Sequence, residues 1–466
     1  MRFVRPILLT CLALLLPACG GDPLTELPAP WRHVPKGDWT LEQLRGSVGR
    51  VFLVEHFTAQ VSSSMKKTIK TSPPGGILFW NGGSGEHVGA VELRRVIAAY
   101  SKVARDAGHP PLLFSTDYEG GALNRSITWN KIPGIQRFTE GLTALAHPRW
   151  LGQAYRQSPE LGRELAQLHG EIIARELRSV GLNYPLSVVG DLASGLFAVR
   201  GIDRDEEIVA ELLPEVLDGA LSEPGMLFVT KHFPGLGQTA GDTHDQVVVS
   251  PVTDAATAER HLSPFRAAVE HLADTADAAR LSLMCGHALF PLFDAEKNTT
   301  TSPRILQDLL REDPESTLPV PALGFSGIAL SDAMWMGPYG TMSWTKLRRV
   351  YLESFLAGMD LLMIPGYRYS QARAYFADVL DDQLSQSERD AVAAQLGLDW
   401  PTLHQLFVAR LGQSLDRVDA AAAKLPHAVD DVDPDGTVPS DLTVTERTRY
   451  HEILKTVDPR WAAELP

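Results

Sequence analysis

Residues Lys231 to Gln246 read KHFPGLGQTAGDTHDQ. A lysine, two histidines and two aspartates in so short a stretch offer charge, hydrogen bonding and proton transfer. Lys231 and His232 follow an apolar run that reads as a strand, which puts both at its C-terminal tip. Pro234, Gly235 and Gly237 then interrupt regular structure and permit sharp bends. Asp242 and His244 are two residues apart, so in an extended segment their side chains share one side. A carboxylate beside an imidazole orients the ring and favours its charged form, which suits proton transfer near neutral pH. An isolated Asp-x-His is more often an incidental pair in a surface loop; the surrounding stretch gives this one weight.

Such residues need a scaffold that delivers several strand ends to one place. From Leu44 onward, short apolar runs alternate with helical patterns. The strand candidates are Val51–Val54, Ile77–Trp80, Leu112–Thr116, Leu182–Val189, Leu227–Thr230, Leu281–Met284, Ile328–Leu330 and Leu361–Ile364. Leu161–Val180 and Leu347–Ala357 carry apolar residues at three- and four-residue steps, as helices do. The alternation predicts an α/β fold, a (β/α)8 TIM barrel with helical C-terminal additions. Chemistry in such barrels gathers at strand C-terminal ends. Asp117, Asp191, Lys231, His232, His287 and Asp332 all fall there.

The chain has 466 residues, with ordinary apolar (44%) and charged (21%) content for a globular protein. Its net charge of −14 argues against nucleic acid, whose phosphates need a basic surface. Arg2 and Arg5 precede an apolar run, Ile7 to Leu16, too short to span a bilayer. Residues 1–18 read as a signal peptide. The run ends Leu16-Pro17-Ala18-Cys19-Gly20, which resembles a bacterial lipobox and makes Cys19 the expected lipidation site. Residues 19–43 read as a tether, 44–426 as the barrel and 427–466 as an appendage folded on it. Within the barrel, Leu384 to Val408 reads as an extra helical insertion and Leu415 to Leu425 as a closing helix. Cys285 remains as the single thiol of the body, most simply a small buried apolar residue.

The Lys231 to His244 stretch resembles the signature loop of glycoside hydrolase family 3, in its β-N-acetylglucosaminidase branch. That pattern is close to KHFPGHG-x4-DSH; here Leu236 replaces the second histidine and Thr243 the serine. Other segments share the resemblance. GGILFWN (Gly75 to Asn81) looks like the family's second strand. TDYEGG (Thr116 to Gly121) with Arg125 looks like its DQEGG-x3-R sugar-binding segment, with Tyr118 for glutamine. Arg200 with Asp205 resembles a degraded RSFG-x-DP segment, and MCGHALFP (Met284 to Pro291) the sixth-strand tip. GFSGIALSDAMWMG (Gly324 to Gly337) is similar to GFDGVVVSDDLSMG, with Ala333 for the second aspartate. AGMDLLMIPG (Ala357 to Gly366) resembles the last strand, where Asp360 reads as structural.

The resemblance implies a retaining exo-β-N-acetylglucosaminidase, an exported glycoside hydrolase. Asp332 would be the nucleophile, His244 the acid/base and Asp242 its orienting partner. Asp117, Arg125, Arg200, Lys231 and His232 would hold the sugar. No metal or organic cofactor is implied. A carbohydrate substrate and the membrane, through a lipid anchor, are the expected partners of a monomer on the periplasmic face of the outer membrane. Three rivals stand beside this reading. One is a metal-dependent barrel hydrolase with His232, His244, His287 and Asp332 on zinc; it lacks paired histidines on the first strand, where only His56 is near. The second is a related family 3 β-glycosidase or phosphorylase, since an uncharged histidine admits a phosphate acceptor. The third is a non-catalytic sugar-binding lipoprotein.

Overall fold

A computed structural model describes residues 38–56, 60–79, 90–121, 142–143, 145–311, 316–427 and 439–458. Cys19, the signal and tether segments before residue 38, and Arg125 lie outside the described residues. The strands are β1 (Phe52–His56), β2 (Gly76–Phe79), β3 (Leu113–Ser115), β4 (Val188–Val189), β5 (Phe228–Phe233), β6 (Leu281–Cys285), β7 (Ile328–Ser331) and β8 (Leu362–Ile364). All pair in parallel, in two groups of four ordered β3-β2-β1-β8 and β4-β5-β6-β7. The helices are α1 (Leu41–Ser47), α2 (Ser63–Thr71), α3 (Ala90–Asp106), α4 (Arg149–Gln157), α5 (Pro159–Val180), α6 (Glu206–Leu221) and α7 (Ala255–Leu272). They continue with α8 (Gly337–Gly340), α9 (Trp344–Ala357), α10 (Tyr369–Leu380), α11 (Gln386–Leu396), α12 (Trp400–Ala422) and α13 (Val444–Val457). A π-helical segment, Arg304–Leu309, follows β6. This is the strand–helix order of a (β/α)8 barrel.

The fourth strand is shorter than the sequence predicts. Asn183 and Tyr184 both donate their N–H groups to the Phe114 carbonyl, and Leu186 donates to Thr116. On the other side, Leu227 and Val229 donate to Asn183 and Pro185. Pro185 has no N–H to give, and Phe114 takes two donors, so the ladder is regular only at Val188–Val189. β5 is longer than expected and runs on through Lys231 and His232 to Phe233, with its register against β6 broken between Lys231 and Phe233. The Lys231–His232 and Phe233–Pro234 peptide bonds are cis.

Alternate strand residues fill the barrel: Leu53, Leu78, Leu113, Val229, Met284, Leu330 and Met363 share one buried cluster. Val418 and Ala421 of α12 join it, so α12 closes the barrel. The sequence divides this region differently, into an insertion and a closing helix from Leu415. Asp399 instead caps one long helix at Thr402, and Leu403, Leu406, Leu411, Leu415 and Val418 form one buried stripe along it. Asp360, fully buried before β8, ties this helix down. Its oxygens take Arg311 at 2.6 Å, Arg417 at 2.8 Å, Arg410 at 3.2 Å and the Ala329 N–H at 2.9 Å. Burial pushes its carboxyl up, but the three guanidinium groups more than offset this and hold it well below the usual carboxylate range.

Ser158 caps α5, and Gly181, at φ +92°, ends it. α13 lies against α4 and α5 through Arg449 to Glu164 at 2.6 Å and Gln157 to the Val457 carbonyl at 2.8 Å.

Candidate active site

The C-terminal ends of β3, β5 and β7 open onto one pocket of about 260 Å³. Leu78, Leu186, Met284 and Met363, the upper layer of the barrel interior, form its floor, and Trp335 and Met336 one wall. Its polar lining is Asp117, Glu119, Arg200, Lys231, His232, His244 and Asp332. Six residues singled out by sequence therefore meet here: Asp117, Arg200, Lys231, His232, His244 and Asp332. Asp242 reaches the pocket through His244.

Lys231 is 2% exposed, with Nζ 2.7 Å from Asp117 Oδ1 and 2.7 Å from Glu119 Oε1. Burial pulls its pKa down, yet the two carboxylates outweigh it and leave the ammonium above its usual value. Arg200 meets Glu119 with two nitrogens, each at 2.7 Å. Burial pushes the Glu119 carboxyl up, but Arg200 and Lys231 hold it well below its ordinary range. The Phe197 ring, at 4.9 Å, backs the Arg200 guanidinium and meets the His232 ring at 5.3 Å. Arg200 is a largely enclosed cation lining the pocket, its side chain 13% exposed, and its ion pair is not a surface one.

His232 is fixed by Asp191, which is fully buried. Asp191 Oδ2 takes the ring Nδ1 at 2.6 Å and the His232 backbone N–H at 3.0 Å, and Oδ1 takes the Leu236 N–H at 2.6 Å. Leu236, where the family pattern has histidine, is a 3% exposed apolar residue packed over Gly286. Its backbone, not its side chain, serves the site.

Asp332 follows β7. Its N–H donates to the Cys285 carbonyl at 3.0 Å, and its Oδ1 accepts the Ala333 N–H at 2.7 Å. Burial raises its pKa, and the facing His232, His287 and His244 rings bring it below the ordinary value, so the carboxylate is ionised near neutral pH. His287 touches the Thr300 hydroxyl at 3.1 Å and the Ala333 carbonyl at 3.0 Å, and packs edge-on against Tyr339. It steadies the Asp332 segment from below.

His244 is half exposed, at 53%, and faces Asp332 from the loop after β5. Asp242 Oδ1 accepts both its ring Nδ1, at 2.7 Å, and its backbone N–H, at 2.9 Å. With Nδ1 committed to Asp242, Nε2 is the nitrogen left to carry a proton in the pocket. Burial lifts the Asp242 carboxyl; donation from the His244 backbone and ring more than offsets it. The loop is docked on the segment after β7: Gly337 donates its N–H to the His244 carbonyl at 2.8 Å. At φ +43°, with an added Cβ 2.5 Å from the Thr243 carbonyl, position 337 excludes a side chain.

Two residues escaped the sequence reading in their true roles. Glu119 lies within the TDYEGG segment and draws no role from it, yet it holds both cations. Asp191 was noted at a strand end without a partner. Among the described residues no group of three His, Cys, Asp or Glu side chains is placed to hold a metal ion. The four zinc ligands of the rival reading are engaged as above, His232 and His244 through Nδ1 on carboxylates and His287 through both ring nitrogens.

Asp332, the facing His244–Asp242 pair and the fixed cations Lys231 and Arg200 thus share one pocket at the barrel mouth. Residues 40–396 match the glycosyl hydrolase family 3 N-terminal domain, and the chain belongs to that family. It is 30% identical to a β-hexosaminidase of Thiobacillus denitrificans over 65% of this chain and 71% of that one. To a β-hexosaminidase of Nitrosomonas eutropha it is 31% identical over 49% of this chain, spanning 58% of the relative's length. A glycoside hydrolase family 3 β-N-acetylglucosaminidase from Paenibacillus sp. superposes with a TM-score of 0.67 at 23% identity, covering 89% of this chain and 68% of the other. A β-N-acetylhexosaminidase from Beutenbergia cavernae gives 0.62 at 22% identity, covering 83% and 99%.

Proposed function

We propose that the protein is a retaining exo-β-N-acetylglucosaminidase. The observation that carries this reading is the opening of Asp332 and the His244–Asp242 pair onto one pocket that also holds the Lys231–Arg200 clamp. Asp332 attacks the anomeric carbon while His244, as imidazolium, protonates the departing oxygen. Water then hydrolyses the aspartyl glycosyl-enzyme, with His244 now the base. Asp242 holds the ring by Nδ1 and stabilises its charge. Lys231, Arg200, Asp117 and His232 bind the hydroxyl and acetamido groups of the sugar, with Arg125 a further ligand. The pocket, about 260 Å³, is below the about 300–1,000 Å³ of drug-sized ligand sites, which suits one terminal sugar ring. The names of the relatives support N-acetylhexosamine as that sugar; its release from cell-wall or chitin-type oligosaccharides is part of the proposal.

The test is a panel of aryl β-glycosides, with and without phosphate. Turnover of the N-acetyl-β-glucosaminide alone, with free sugar as product, is expected. Sugar phosphate as product would make the enzyme a phosphorylase, and no turnover of any member would leave only a sugar-binding protein.

Lipidation at Cys19 is a further proposal, motivated by the Ala18-Cys19 pair after the apolar run. Several acyl chains would hold the protein at a membrane, since one alone binds with only about 10⁴ M⁻¹. Membrane fractionation of the wild type, abolished in Cys19→Ala, is expected; a mature N-terminus without lipid mass would refute it.

A further inference from the structure

The C-terminal segment, Pro439 to Val457, lies outside the pocket, yet its contacts end beneath the Asp117–Glu119 turn. Tyr450 of α13 is fully buried, and its hydroxyl is 3.1 Å from Nδ1 of His169 on α5. The Ala146 backbone hydrogen-bonds the same hydroxyl. Burial keeps the His169 ring neutral, with its pKa pushed down to about 4, so one ring nitrogen accepts while the other donates. The donating nitrogen serves the backbone carbonyl of Glu119. One chain of donors thus runs from Ala146 N–H through Tyr450 and His169 to Glu119.

A second link runs parallel to it. The buried Glu176 carboxylate accepts the Thr443 hydroxyl from the C-terminal segment, and the hydroxyl and N–H of Thr143. The Thr143 carbonyl in turn accepts the Tyr118 hydroxyl, between Asp117 and Glu119. Gly120, at φ +87°, leaves no slack: a Cβ there would stand 2.6 Å from the Ala146 carbonyl and 3.1 Å from His169.

We propose that the C-terminal segment braces the sugar clamp, with Tyr450 (through His169) and Thr443 (through Glu176) as positioning residues for the Asp117–Glu119 turn. By fixing that turn they fix Lys231 and Arg200, which are held by its carboxylates. The role in sugar binding rests on the proposed glycosidase reading. The outer side of α13 does not share the role: Arg449 and Glu164 are about half exposed, and Arg449 pairs with Glu164 on the flank of α5 and with Glu452 on α13 itself.

Tyr450→Phe in the full chain removes one hydroxyl and keeps the ring. KM for an aryl N-acetyl-β-glucosaminide should rise about fivefold, with kcat changed by less than about twofold. Backbone amides of residues 117–121 should exchange hydrogen faster than in the wild type. Arg449→Ala should match the wild type in KM and in exchange. Exchange needs no turnover, so a wild type inactive on every glycoside would sink the proposed function while the brace is still judged. Unchanged exchange at 117–121 in Tyr450→Phe overturns the brace. So does an increase spread equally over β6 to β8, which marks general loosening. If Tyr450→Phe does not fold, Thr443→Val is judged by the same exchange, faster at 117–121 in support and unchanged against.

Discussion

Glu119 grips Arg200 through both carboxylate oxygens, each 2.7 Å from a guanidinium nitrogen, with its side chain 2% exposed. A two-point pair of this kind sets the plane of the guanidinium as well as its position. Glu119→Gln would leave two buried cations facing a neutral amide. Breaking one side of a buried pair is expected to destabilise the fold by about 3–5 kcal/mol. The variant should therefore melt earlier and bind sugar more weakly, seen as a lower Tm and a higher KM. Both unchanged would show that the clamp is dispensable.

Asp332→Asn should keep the fold and abolish turnover. The substituted side chain still offers an oxygen to the Ala333 N–H, which the wild type holds at 2.7 Å. A 2-fluoro glycoside inactivator should label Asp332 in the wild type. Peptide mass mapping that finds the label on another carboxylate would reassign the nucleophile.

His244→Ala should divide substrates by leaving group. Nitrophenolate departs with little help, so the glycosyl-enzyme forms while its hydrolysis, lacking a base, slows by about 10²–10⁴-fold. Stopped-flow traces should show a burst and then a slow steady state. Alkyl glycosides, which need the acid, should be turned over poorly throughout. Asp242→Ala should act in the same direction more mildly, because the ring remains. Wild-type rates on both substrate types would remove the loop from catalysis.

Glu55 on β1 is 3% exposed, its Oε1 has no hydrogen-bond partner among the described residues, and burial pushes its pKa up to about 8. A folded pKa above the unfolded value gives stability that is full below the unfolded pKa and lost as pH rises through the folded one. Between about pH 4.5 and 8 this loss is on the order of 4–5 kcal/mol. Asp360 has the opposite sign: its depressed carboxyl stabilises above about pH 4 and fails as pH falls below that. Thermal unfolding from pH 5 to 9 should decline less steeply with pH for Glu55→Gln than for the wild type. Equal slopes would mean that Glu55 is already ionised in the folded state.

The sequence was readable where function is local. Asp242 and His244 are bonded over two residues, and Asp332 follows its strand directly, so spacing was enough to bring them forward. The barrel was readable for the same reason, since each strand and helix announces itself by its own periodicity. Glu119 and Asp191 act on partners 81 and 41 residues away, and no local pattern reports such a pairing. The shortened β4 depends on Pro185 meeting neighbouring strands, and the unbroken α12 on one stripe outweighing a polar interval. Leu236 read as a lost side chain, whereas its backbone N–H is what Asp191 uses.

The eight strands fall into two groups, and the last strand of neither ladder continues regularly into the other. Asp117 and Glu119 follow β3 in one group, while Arg200 and Lys231 belong to the other. Their ion pairs therefore stitch two half-barrels across a seam, and the sugar would bind on the stitches. If the sugar binds there, substrate choice and the cohesion of the scaffold share one set of bonds. A change that retunes sugar preference at these four residues also alters how firmly the halves are held. Conversely, a tight ligand acts as a clasp and raises the temperature at which the barrel opens.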